Sequence, residues 1–221
     1  MSRQIAIDGP VASGKSTVGQ LTSQSLGWRF LDTGLMYRAA TWLALSEKLS
    51  LKDTESITNL VNQSHLELEI TDKANKLLIN GTDVMTDLRS PLIDNSVSGV
   101  SRISGVRIAL VKKQRDIAST GPIVMVGRDI GTVVLPDAIL KIFLYASVEV
   151  RAERRYKERI ERGESCVLSE IQETLLERDK LDRERDNSPM MAAIDSIKID
   201  STNLPLHKVV DKVVHLFRSK S

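Results

Sequence analysis

The spacing of apolar positions changes several times along the chain, and each change predicts an element. Ile5, Ala6 and Ile7 form a short apolar run ending at Asp8, with a glycine-rich turn directly after it, which predicts a buried strand entering a loop. KSTVGQLTSQSLG predicts a helix closed by Gly27. WRFLDTG predicts a second short strand and turn, and LMYRAATWLALSEKL a second helix. Strands alternating with helices at this pitch predict a parallel sheet. Near residue 63 the period drops to two. In HLELEITDKANKLLINGTDV, Leu66, Leu68 and Ile70 alternate with polar residues, a turn-rich stretch follows, and a second apolar run closes it. That is the pattern of an antiparallel hairpin, so residues 62–95 read as an insert.

A helix over about 100 to 118, with Ile103, Val106 and Leu110 on its apolar side, leads back to buried strands at GPIVMVGRD and AILKIFLYA. Between those strands, IGTVVLPDA reads as a loop. Beyond residue 148 come two highly charged helical segments around Gly163, then SIKID as a last strand. Leu206, Val209, Val210, Val213, Val214 and Phe217 follow at steps of three and four, the packing stripe of a terminal helix. The expected architecture is α/β: a parallel sheet flanked by helices over 1–61 and 96–221, an antiparallel β insert at 62–95, and a helical lid at about 149–187.

Composition narrows the partners more than the fold. With 221 residues there is room for one core and a subdomain, and a formal net charge of +2 argues against a whole-protein polyanion binder. No apolar stretch reaches the roughly 20 residues of a membrane span. The opening MSRQIAIDG lacks the apolar core and cleavage site of a secretion signal, so a cytoplasmic protein is expected. The single cysteine, Cys166, excludes an intrachain disulfide and a cysteine-built zinc site. A monomer acting on a small molecule, without nucleic acid or membrane, is the expected state.

The stretch GPVASGKST fits G-x-x-x-x-G-K-[ST] through Gly9, Gly14, Lys15 and Ser16. A strand before it and a helix after it are the setting of a phosphate-binding (P-loop) turn. Successive backbone N–H groups converge there on one anion, and the helix N-terminus adds a favourable dipole. Lys15 is placed to reach the outer phosphates of a nucleoside triphosphate, and the Ser16 hydroxyl to bind Mg²⁺. A kinase, a nucleotide switch and a nucleic-acid ATPase all use such a loop. The nearest stretch to the N-K-x-D of a GTPase is DKLD at 179–182, with the wrong first residue, and aromatics are only 4%, few for a nucleic-acid motor.

A kinase needs a second anion site. LDTGLMYRA sets Thr33, Tyr37 and Arg38 around the start of the second helix, a sound phosphate site. VGRDIGTVV puts Arg128 and Asp129 directly after a buried strand, at the carboxyl end where ligands of open parallel sheets sit. In ERDKLDRERD, Arg178, Asp182 and Arg185 fall at i, i+4 and i+7, which predicts one helical face able to grip phosphates and a ribose hydroxyl. Arg151, Arg154, Arg155 and Arg159 crowd the preceding helix, a clustering expected to repel unless anions arrive, as in a closing lid.

Together IAIDGPVASGKST, LDTGLMYRA, VSGVSRISGVR, VGRDIGTVVLPDA, KIFLYAS, RAERR and ERDKLDRER resemble the bacterial cytidylate kinases of the nucleoside monophosphate kinase group, in family order over about residues 4 to 204. The resemblance implies transfer of the ATP γ-phosphoryl group to CMP or dCMP. It implies that Gly9, Pro10, Val11, Ala12, Ser13, Gly14, Lys15, Ser16 and Thr17 hold ATP. It also implies that Thr33, Tyr37, Arg38 and Arg128 face the CMP phosphate with Arg185 nearby, that Ser98, Arg107 and Asp129 face cytosine, and that Arg178 and Asp182 serve the phosphate and ribose region. Cytosine presents an amine beside two acceptors, which suits carboxylate and hydroxyl acceptors from Asp129 and Ser98 and a donor from Arg107. Lys15, Arg128, Arg178, Arg185 and a lid arginine, Arg154 or Arg155, are the expected catalytic charges. Asp8 is a candidate Mg²⁺ partner through water. Thr33 stands where many relatives have serine, and Leu181 where some have a polar or basic residue. A UMP/CMP or adenylate-type kinase, and a catalytically dead nucleotide-binding module, are the alternatives.

Overall fold

The computed structural model describes residues 3–70 and 75–220. The turn-rich stretch expected inside the hairpin, 71–74, lies outside them. In chain order the elements are β1 (Gln4–Asp8), α1 (Lys15–Leu26), β2 (Arg29–Asp32), α2 (Thr33–Ser46), α3 (Thr54–Gln63), β3 (Leu66–Ile70), β4 (Asn75–Ile79) and β5 (Thr82–Asp83). Then follow α4 (Pro91–Val100), α5 (Ser104–Ser119), β6 (Ile123–Gly127), β7 (Leu140–Tyr145), α6 (Val148–Glu161), α7 (Leu168–Glu184), β8 (Ile197–Asp200) and α8 (Leu206–Arg218). No helix among the described residues is long and apolar enough to cross a membrane.

The chain divides into two compact units, Met1–Trp28 with Val124–Ser221, and Arg29–Ile123. In the first, strands run in the order β6-β1-β7-β8, with β1–β7 and β7–β8 parallel. Ile5, Ala6, Ile7, Val124, Met125 and Leu140 are fully buried, so these strands carry continuous apolar runs, as a sheet covered on both faces requires. Helix α8 seals one side through Val209, Val210 and Val213, and Trp28 meets the edge of Phe217 at 4.8 Å between ring centres. Leu206, expected in that stripe, is exposed.

The second unit holds α2, α3, α4 and α5 with the antiparallel sheet β3-β4-β5. Leu66 pairs with Ile79 and Leu68 with Leu77 across the hairpin, which puts apolar side chains on one face, as the alternation predicts. Two helices here escape the sequence reading. α3 offers only Ile57 and Val61 to the core, and α4 opens on Ser90-Pro91, where Ser90 Oγ caps Ile93 N–H at 3.5 Å. The helix expected over about 100 to 118 forms as α5, starting at Ser104, and the unread α4 precedes it and ends at Val100.

Candidate active site

The turn between β1 and α1 has the backbone of an anion nest. Gly9 has φ 149°, and a Cβ there would sit 1.9 Å from the Leu144 carbonyl oxygen, so the loop passes directly against β7. Ala12 and Gly14 also take positive φ, 58° and 93°. Two carbonyls of the loop are held from behind. Arg151 donates to Val11 O at 3.1 Å, and Ser13 O accepts from Ser201 Oγ at 3.2 Å and from Arg154 at 3.4 Å. Because C=O and the following N–H point opposite ways across a planar peptide, anchoring these oxygens turns the next N–H groups to the other side. Lys15, only 6% exposed, parks its ammonium on Pro10 O at 2.6 Å, while Ser16 and Thr17 are exposed on the first turn of α1.

β6 ends on a charged cluster. Arg128 donates to Asp182 at 2.9 Å, and the Arg185 guanidinium lies 3.5 Å from Asp129 and 3.9 Å from Asp182. Burial pushes the Asp182 carboxyl upward most strongly, yet the charges of Arg128, Arg178 and Arg185 and the Arg128 hydrogen bond together hold it below the ordinary carboxylate range. Residues 130–134, read as a loop, instead curl into one wide π-helical turn. Val133 and Val134 N–H both donate to Asp129 O, and Leu135 N–H donates to Ile130 O at 2.7 Å. Asp8 reaches across from β1: its two carboxylate oxygens accept from Ile130 and Gly131 N–H, each at 2.7 Å.

In the second unit, α2 carries Thr33, Tyr37 and Arg38 on its first turns. Asp32 caps the helix by accepting from Gly34 N–H at 2.9 Å, and Thr33 is buried. Arg38 donates to Leu88 O at 2.9 Å and pairs with Asp94 on α4. Arg107 of α5, 3% exposed, lies over the Tyr37 ring at 5.2 Å and donates to Ser101 O at 3.2 Å. Ser98 is half-buried in the last turn of α4.

The charged helices α6 and α7 are built around a buried ion pair. Arg151 and Asp179, at 5% and 4% side-chain exposure, meet at 2.7 Å. Ala152, Ile171 and Leu175 form the apolar seam between the helices, and Val11 of the phosphate loop packs against it with Val148, Tyr156 and Cys166. The arginine crowding on α6 is compensated internally, against expectation. Arg154 donates to Ser201 O at 2.7 Å, Arg155 pairs with Glu158 at 2.8 Å, and Arg159 pairs with Glu164 at 2.8 Å. Gly163, with φ 76°, terminates α6.

This geometry has relatives. The family model described as cytidylate kinase matches residues 5–219. A cytidylate kinase of Streptococcus gordonii is 50% identical, with 94% of this chain and 92% of its own length covered. One of Bacillus subtilis is 44% identical, covering 98% and 97%. The chain belongs to the cytidylate kinase family. Among solved structures, a protein of Eubacterium ventriosum has a TM-score of 0.55 at 12% identity, covering 98% of both chains, which is a likeness of fold alone.

Within this cytidylate kinase family chain the expected residues form three groups. Gly9 to Thr17 make the loop. Arg128, Asp129, Arg178, Asp182 and Arg185 are gathered at the end of β6. Thr33, Tyr37, Arg38, Ser98 and Arg107 lie on α2, α4 and α5. One expectation needs correcting in its reasoning: α7 ends at Glu184, and Arg185 has extended backbone, φ −68° and ψ 140°, so Arg178, Asp182 and Arg185 do not share a helical face. Arg185 reaches Asp129 because it leaves the helix, and its own Nε then donates to Ser188 O at 2.5 Å. Of the two lid candidates, Arg154 donates to the Ser13 and Ser201 carbonyls behind the loop, and Arg155 pairs with Glu158. Asp8 accepts from two backbone N–H groups through its two oxygens. Sequence reasoning missed Asp94, Asp179 and Ser201. Only Asp179 left a signal, as a carboxylate one step of four beyond the apolar positions Ile171 and Leu175.

Proposed function

We propose that the chain transfers the γ-phosphoryl group of ATP to CMP or dCMP, giving CDP or dCDP. The observation that carries this reading is an intact phosphate loop in a chain that matches the cytidylate kinase family over residues 5–219. The Gly9–Thr17 loop holds the triphosphate through its backbone N–H groups, and Lys15 exchanges the Pro10 carbonyl for the outer phosphate oxygens. Thr33, Tyr37, Arg38 and Arg128 take the acceptor phosphate, and Ser98, Arg107 and Asp129 take the cytosine edge. The inserted subdomain at 62–95 serves monophosphate binding, and α6 and α7 form the lid.

Phosphoryl transfer to a phosphate needs no general base from the protein, because the acceptor is already a nucleophile. The side chains position two anions in line and offset their charge. Arg128, Arg178 and Arg185 do this while Asp182, kept ionised, fixes the directions of Arg128 and Arg185. Among the described residues no group of three or more His, Cys, Asp or Glu could hold a metal ion. Mg²⁺ keeps waters and substrate phosphates as ligands and asks few of the protein. The exposed Ser16 hydroxyl on the first turn of α1 is the ligand the chain offers. Mg²⁺ would supply charge neutralisation between the triphosphate oxygens.

Asp129→Ala tests the division of labour. KM for CMP should rise at least about tenfold, from loss of a buried charge-assisted hydrogen bond. ATP affinity by calorimetry should stay within about twofold. An equal loss of ATP affinity would assign Asp129 to the donor side or to the fold.

A further inference from the structure

Asp129 occupies the residue position before a helical turn, where aspartate ordinarily folds its own carboxylate back onto the first N–H groups. It does not do so: its side chain makes no capping bond, and its carboxylate lies 3.5 Å from Arg185 instead. Of the two N–H groups it would take, those of Gly131 and Thr132, the first is filled at 2.7 Å by Asp8, 123 residues earlier in the chain, whose other oxygen takes Ile130 N–H, also at 2.7 Å. Asp8 is 4% exposed and Asp129 3%. The fit around Asp8 is close, since a Cβ on Gly131 would come within 3.3 Å of Asp8 Oδ2 and 3.2 Å of Lys141 Cδ.

We propose that Asp8 is a positioning residue for base selection: by capping the Ile130–Val134 turn from a neighbouring strand, it keeps the Asp129 carboxylate out of its own turn and available to the acceptor base. Without Asp8, the buried N–H groups of Ile130 and Gly131 at the start of the turn lack an acceptor, and Asp129, as the N-cap residue, can fold its carboxylate back onto that of Gly131. Doing so turns Asp129 away from the cytosine amine. The inference rests on the reading that Asp129 meets cytosine. Burial pushes the Asp8 carboxyl up to about 6 despite the two N–H bonds, with Asp129 raising it and Lys15 lowering it. A carboxylate kept there at such cost is consistent with a task that another residue type would not do.

The experiment compares kcat/KM for CMP and UMP in the full chain for the parent, Asp8→Asn, Gly131→Ala, Asp129→Ala and the Asp8→Asn/Asp129→Ala double variant. Asparagine at position 8 offers one acceptor and turns a donor toward the second N–H. Asp8→Asn should lower the CMP-to-UMP ratio by about tenfold or more, through KM for CMP, and the double variant should lose no more than Asp129→Ala alone. Gly131→Ala, which crowds Asp8 without removing it, should lower the ratio in the same direction. It keeps the test open if Asp8→Asn does not fold. A ratio unchanged in Asp8→Asn or, failing its folding, in Gly131→Ala, while Asp129→Ala abolishes discrimination, overturns this inference and leaves the proposed function standing. A ratio unchanged in Asp129→Ala overturns the base-reading assignment, and this inference with it.

Discussion

Single residues in this chain act mostly by directing their neighbours. Gly9 has a backbone conformation and a 1.9 Å approach to Leu144 O that no side chain tolerates. Gly9→Ala should cost about 3 kcal/mol in urea unfolding and weaken ATP binding at least tenfold, because either β7 or the loop must shift. Asp8 makes a pH prediction with a definite sign. Its carboxyl is raised from 3.8 to about 6 in the folded chain, so between those values only the folded chain keeps the proton. Its contribution to stability is therefore present in acid and lost as pH rises through about 6. Asp8→Asn lacks that component, so its stability relative to the parent should rise between about pH 4.5 and about pH 7, measured by urea midpoints. Asp182 has the opposite sign. Held below the usual range, it stabilises at neutral pH and loses that contribution as the solution is acidified.

Elements were legible where pattern and burial agree. β1, the loop and α1 follow from an apolar run, glycines and a Lys-Ser-Thr opening, and all three form as read. α3 and α4 were not legible because each buries only two or three side chains, and because Ser-Pro reads as a break although proline is at home in the first turn of a helix. The turn at 130–134 was hidden for another reason. Its N-terminal N–H groups are satisfied by Asp8 from a remote strand, a partner that no local spacing reveals. Thr33, Tyr37 and Arg38 lie on the helix read for them, but Arg185 leaves α7, Ser98 sits on the unread α4, and the pairing of Arg38 with Asp94 and of Arg151 with Asp179 comes from the fold.

The Arg151–Asp179 pair yields an element-scale prediction. Asp179→Ala leaves a buried guanidinium without its carboxylate, which should cost about 3–5 kcal/mol. Arg151 also holds Val11 O, so ATP affinity should fall in the same variant, whereas a surface pair such as Arg155–Glu158 should be worth less than about 1 kcal/mol. Urea unfolding and ATP titration of Asp179→Ala and Glu158→Ala separate these cases.

At the scale of the whole molecule, one compact unit carries the phosphate loop and the arginine–aspartate cluster, and the other carries Tyr37, Arg38, Ser98 and Arg107. Both sets belong to a chain of the cytidylate kinase family. Uracil puts a carbonyl where cytosine carries its amine, so a carboxylate reader faces an acceptor and several kcal/mol of discrimination follow. The most direct measurement is the initial rate of ATP-dependent phosphorylation of CMP, dCMP, UMP, AMP and GMP by the full chain. The account predicts CMP or dCMP preferred over the other three by about a hundredfold or more. Equal turnover of UMP and CMP, or no transfer to either cytidine nucleotide, would contradict it.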